Sequence, residues 1–110
     1  MTWLDWLRPS LTDASEDELL ADLEAGRARL WLGDGCALVT QYVQEPEGAC
    51  LHIWLAGGAL AGVLALRPGV EAWAKGAGCQ SITIEGRPGW RRVLRPYGYR
   101  PAGRELKRIL

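Results

Sequence analysis

A chain of 110 residues and 12.1 kDa has the size of one small domain with a single core. Its 48% hydrophobic and 24% charged residues are ordinary globular usage, which excludes a disordered chain, a collagen and a coiled coil. The formal net charge is zero, yet residues 1–55 carry ten acids and three bases, and residues 56–110 carry ten bases and three acids.

The chain opens with an aromatic arm over residues 1–14. Trp3 and Trp6 are three apart beside Leu4 and Leu7, so a short helix or staple places them on one face. They either dock on a sheet or form an exposed anchor for a protein partner. Ser15-Glu16-Asp17-Glu18 reads as a capping box: the Ser15 hydroxyl takes the Glu18 N–H, and Glu18 reaches back. Leu19, Leu20 and Leu23 give an apolar stripe and Gly26 a stop, which predicts a helix over 16–25.

Three strands follow, over 28–32, 36–44 and 50–55. They are separated by Gly33-Asp34-Gly35 and Glu45-Pro46-Glu47-Gly48. In the third, Leu51, Ile53 and Leu55 alternate with His52 and Trp54. Short turns between such runs predict an antiparallel meander. The pattern changes at Gly57-Gly58. Residues 59–65 read as a short helix and 68–77 as a second, kinked or broken at Pro68, with Val70, Trp73, Ala74 and Ala77 on one face.

Residues 80–85 alternate as a strand. Pro88 then starts a helix with Trp90, Val93, Leu94 and Tyr97 on one side and Arg91, Arg92 and Arg95 on the other, ended by Pro96 and Gly98. The tail over 99–109 reads as a last strand, which Pro101 and Gly103 push to an edge or a bulge. The order α-β-β-β-α-β-α-β predicts an α+β domain: a mixed, mostly antiparallel sheet flanked by helices.

Few residues here carry chemistry of their own. Cys36, Cys50 and Cys79 are odd in number and widely spaced, and His52 is the only histidine, so neither a disulfide framework nor a metal site is expected. The longest apolar stretches are about ten residues, short of a membrane span. Met1-Thr2-Trp3-Leu4-Asp5-Trp6 lacks the basic start and apolar run of a signal peptide. The expectation is no membrane and a cytoplasmic location.

The second half resembles a known family. The strand Ser81-Ile82-Thr83-Ile84-Glu85, the helix over 89–96, and Tyr97-Gly98-Tyr99 before a final strand resemble the C-terminal part of the GNAT superfamily of N-acetyltransferases. More narrowly, Ile84-Glu85-Gly86-Arg87-Pro88-Gly89-Trp90-Arg91-Arg92-Val93-Leu94 resembles small GNAT-like proteins of tailed bacteriophages and prophages. The pattern covers about residues 28–110, and its specific part is residues 82–100. The resemblance implies a reduced GNAT-like (acyl-CoA N-acyltransferase) fold.

For activity, the resemblance is tested residue by residue. The family holds acetyl-CoA on a Gln/Arg-x-x-Gly-x-Gly/Ala loop. The matching place holds Gly57, Gly58, Ala59 and Gly62, without the leading Gln or Arg and without the spacing. The family's acid is a Tyr at a position that falls on Leu94, which has no proton to give. Tyr97 and Tyr99 are near enough to substitute, and Glu85 is the nearest match to the family's base, or else an ion-pair partner of Arg87.

The resemblance, taken with these departures, implies a phage- or prophage-type GNAT-like protein without transferase activity and without a cofactor. It is expected to act as a protein-binding or virion-assembly factor through Trp3, Trp6, Arg91, Arg92 and Arg95. The alternative is a small acyl-CoA-dependent N-acetyltransferase with an atypical cofactor loop, with acetyl-CoA on Gly57, Gly58, Ala59 and Gly62 and chemistry at Glu85, Tyr97 and Tyr99. A second alternative is a nucleic-acid binder using Arg87, Arg91, Arg92, Arg95, Arg100, Arg104, Lys107 and Arg108.

Overall fold

The computed structural model describes residues 2–85 and 87–110. It is an α+β architecture: a six-stranded, mostly antiparallel sheet with four helices. The elements are α1 (Trp3–Leu7), α2 (Glu16–Glu24), β1 (Ala28–Gly33), β2 (Cys36–Glu45), β3 (Gly48–Gly58), α3 (Leu60–Gly76), β4 (Cys79–Glu85), α4 (Pro88–Leu94), β5 (Arg100–Ala102) and β6 (Glu105–Ile109). Single 3-10 turns follow α1 and α4.

The sheet order is β1-β2-β3-β4-β6-β5. The first three strands form the expected meander. Helix α3 then carries the chain back, so that β4 runs parallel to β3, the one parallel pair. β6 returns antiparallel to β4, and β5 closes that edge.

Each face of the sheet has its own core. On one, α3 and α4 cover Cys36, Leu38, Leu51, Ile53, Ile82, Ile84 and Leu106 with Val63, Val70, Ala74 and Leu94. On the other, α1 and α2 press Leu7 and Leu19 onto Ala28, Ala37, Val39 and Leu55. Leu7 and Leu19 are completely buried, each worth about 1.5–3 kcal/mol of transfer free energy.

Local sequence explains the helix starts. The Ser15 hydroxyl accepts the Glu18 N–H at 3.1 Å, as its capping pattern predicts. Thr2 and Asp5 repeat the device in α1, where the Thr2 N–H donates to Asp5 Oδ2 at 2.9 Å. Arg8 pairs with both Asp5 and Glu16 and so ties α1 to α2.

Three expectations change. Helix α3 is continuous through Pro68. Proline removes one N–H from the ladder, but Val63 before it and Val70 and Ala74 after it are all buried, so packing holds both halves on one axis. The tail is a hairpin and not one strand: Gly103, at φ +65, turns the chain between β5 and β6. Pro101 does fall on the edge strand.

The third change lies in β3. Val39 pairs with Leu55 and Thr40 with Ile53, so Trp54 is an extra residue, a β-bulge. Leu51 and Ile53 therefore face α3, while Leu55 joins the opposite core beside Trp54.

Candidate functional site

The glycines at the end of β3 lie against the chain's own backbone. A Cβ on Gly57 would sit 1.8 Å from the Trp6 carbonyl oxygen. One on Gly58, whose φ is +96, would sit 2.3 Å from Gly35 O, and one on Gly62 would sit 2.5 Å from Asp34 O. The Ala59 N–H donates to Gly35 O at 2.9 Å. Side-chain absence at these positions thus admits the N-terminal arm and the β1–β2 turn. Trp3 and Trp6 are half-buried and pack against the Leu7–Leu19 core.

The three nominated proton carriers sit in different surroundings. Tyr99 is buried, and its hydroxyl donates to Glu71 Oε2 at 2.8 Å. Burial, reinforced by the Glu71 carboxylate, pushes the phenol well above its ordinary value. The exposed Tyr97 ring lies 3.9 Å from the Arg67 guanidinium carbon. Leu94, at the position of the family's acid, is buried in the α3-side core. Glu85 is exposed at the end of β4 and lies 3.4 Å from Arg87.

Sequence reasoning missed the cluster around Glu71. Its Oε1 accepts from Arg67 at 2.5 Å and also from Arg108. The Arg67–Glu71 spacing of four on a helix was the available signal; Arg108 and Tyr99 arrive only through the fold.

Two clefts share Glu85. On the α1–α2 side, a cleft of about 290 Å³ is lined by Ser10, Asp13, His52, Trp54, Glu85 and Glu105, among others. There His52 Nδ1 lies 2.8 Å from Thr83 Oγ1 and 3.2 Å from Glu105 Oε2. Burial holds the imidazole below its ordinary value, against the pull of Glu105, Glu85 and Glu45. The second begins where β3 and β4 part. Ile53 and Ile84 are their last pair, and a gap of about 20 Å³ between Trp54, Ile84, Glu85, Arg87 and Trp90 follows. The three cysteines are buried and free, and no cluster of metal-ligating side chains occurs among the described residues.

A further surface groove is basic. Helix α4 and the β5 edge enclose a groove of about 600 Å³ with Pro88, Tyr99, Pro101 and Leu106 on its floor. Arg91, Arg92, Arg95 and Arg100 line it. Arg100 is fixed, donating to Arg95 O at 2.9 Å. Arg91, Arg92 and Arg95 are exposed and make no ion pair among the described residues. Across α4, a second groove of about 500 Å³ runs between Leu60 and Trp90 and shares Pro88 and Arg92.

No family model, curated protein or solved structure matches the chain. Among the described residues no helix is long and apolar enough to cross a membrane. The groove therefore has to be read from its own chemistry: guanidinium groups without carboxylate partners above an apolar floor.

Proposed function

We propose that the chain is a GNAT-like protein of the phage or prophage type that performs no acyl transfer and works as a protein-binding or assembly factor. Its docking surface is the α4–β5 groove, and its partner presents an acidic, amphipathic segment. The observation that carries this reading is the row Arg91, Arg92 and Arg95, exposed and unpaired beside Pro88 and Pro101. Planar guanidinium groups match carboxylates, and the apolar floor supplies the area that charge alone lacks.

Several placements support the absence of transfer chemistry. Leu94 stands at the acid position, the Tyr99 hydroxyl is committed to Glu71, and the glycines over 57–62 abut the arm and the β1–β2 turn. The test uses a fluorescein-labelled synthetic peptide with Glu pairs and Leu at helical spacing. Micromolar binding that Arg91→Glu with Arg95→Glu abolishes is expected. A peptide that does not bind removes the docking reading. Calorimetry with acetyl-CoA is the second arm, and binding accompanied by acyl transfer to an amine removes the non-enzyme reading.

One observation favours the acyl-CoA alternative. β3 runs five residues beyond Ile53 with no partner on the β4 side among the described residues, and the opening leads toward the groove between Leu60 and Arg92. In that reading Arg87 and Arg92 hold the phosphates, and native mass spectrometry of the purified protein finds one coenzyme A per chain.

A further inference from the structure

The acidic counterpart of the groove is present on the chain itself. On α2, Leu19 and Leu23 turn inward to the core, while Asp17, Leu20 and Glu24 fall at i, i+3 and i+7 on one stripe. Leu20 is 43% exposed. Asp17 and Glu24 are exposed and make no ion pair among the described residues. The stripe is an apolar residue between two free carboxylates. The groove is an apolar floor between free guanidinium groups.

We infer that the α4–β5 groove takes helix α2 of a second copy of this chain. The inference rests on the docking reading above and names its occupant. Charge complementarity carries it: ten of the thirteen acids lie in residues 1–55, with five of them on α2, and ten of the thirteen bases lie in residues 56–110. The intact chain is neutral, so copies meet without overall repulsion while their ends attract.

The fold decides the kind of assembly. Helix α2 belongs to the core on one face of the sheet, and α4 to the core on the other. α2 packs near β1, at one edge of the sheet, while the groove includes β5, at the opposite edge. The two surfaces therefore do not meet within one chain. In a pair, one helix and one groove remain unfilled. Such a contact is heterologous: it propagates head to tail until a ring closes. A nine-residue helix is about 14 Å long, and its burial in a groove falls below roughly 1,000 Å², the weak class of interface. Association is thus read at high protein concentration and low salt.

Sedimentation velocity on the full chain tests it. Species larger than a monomer are expected to grow with concentration and to disperse in about 0.5 M salt. Arg91→Glu with Arg95→Glu, and separately Asp17→Lys with Glu24→Lys, should each weaken association at least about tenfold while leaving the circular dichroism unchanged. Mixing the two variants should restore association, because each offers the surface its partner lacks. A wild-type chain that stays monomeric at low salt overturns the inference, as does association unaffected by the α2 reversal. If the monomeric chain still binds the acidic probe peptide, the docking reading stands without this occupant. If it binds neither, both fall.

Discussion

The Tyr99 hydroxyl donates to Oε2 of Glu71 at 2.8 Å, while Oε1 of the same carboxylate is held by Arg67 and Arg108. Three side chains from α3, the segment after α4, and β6 thus converge on one buried acid, which joins the helix layer to the edge of the sheet.

Removing different members of that cluster should cost different amounts. Tyr99→Phe takes away one donor and leaves the carboxylate with its two arginines, a loss of about 0.5–1.5 kcal/mol in urea unfolding. Glu71→Ala leaves Arg67 and Arg108 facing each other without a counter-charge, a loss of about 3–5 kcal/mol. Equal losses would mean that the carboxylate does not organise the group. The raised phenol has its own signature: the difference in phenolate absorbance between wild type and Tyr99→Phe should appear only above the ordinary tyrosine value of 10.0.

Glycine substitutions should separate close approach from simple flexibility. Gly57→Ala drives a methyl group into the Trp6 carbonyl, so it should cost more than about 2 kcal/mol and shift tryptophan emission to the red as the arm lifts. Gly69 lies inside α3 with nothing within 4 Å of its Cβ position. Gly69→Ala should therefore stabilise by roughly 0.5–1 kcal/mol. A Gly57→Ala protein with unchanged melting temperature would show that the arm does not seat on β3. The same contact makes substitution at Gly57 or Gly58 a poor probe of cofactor binding, since it strains the fold first.

How much of this was legible in the sequence depended on the range of the cause. The α2 start, the meander and the edge position of Pro101 follow from residues a few places apart, and they stand as read. Thr2-x-x-Asp5 carried the same signal as Ser15-x-x-Glu18 but was hidden behind the tryptophans. The Trp54 bulge could not be read, because residues 51–55 alternate without a break and the extra residue is imposed by pairing to β2. Pro68 misled in the opposite sense: a local rule against helix was overridden by the buried stripe of Val63, Val70 and Ala74. The α4 arginines were legible as a set. Their groove was not, because β5 reaches it only through the turn at Gly103.

Solvent access to the thiols should follow burial. Cys36 and Cys79 are buried, and desolvation raises both thiols above their ordinary value of 9.0, which lowers the reactive thiolate fraction. With a thiol reagent at pH 8, labelling of these two should be slow in the folded protein and rapid in denaturant. Fast native labelling of either would mean that its strand opens readily.

The His52 imidazole gives the chain a pH dependence with a definite sign. Its folded value is depressed by burial, so the unfolded chain takes up a proton near 6.5 while the folded chain does not. Between the two values the unfolded state binds more protons, and stability rises with pH. The full contribution is present above 6.5 and is lost as pH falls through the folded value. The slope is at most about 1.4 kcal/mol per pH unit. His52→Gln keeps a polar group beside Thr83 but cannot titrate, so its unfolding free energy should be flatter from pH 7.5 to 5.5. The Glu105, Glu85 and Glu45 carboxylates pull the other way, and Glu105→Gln should depress the imidazole further. An NMR titration of the single histidine reads both. A folded value at or above 6.5 would mean that the carboxylates outweigh burial, and the stability slope would then reverse.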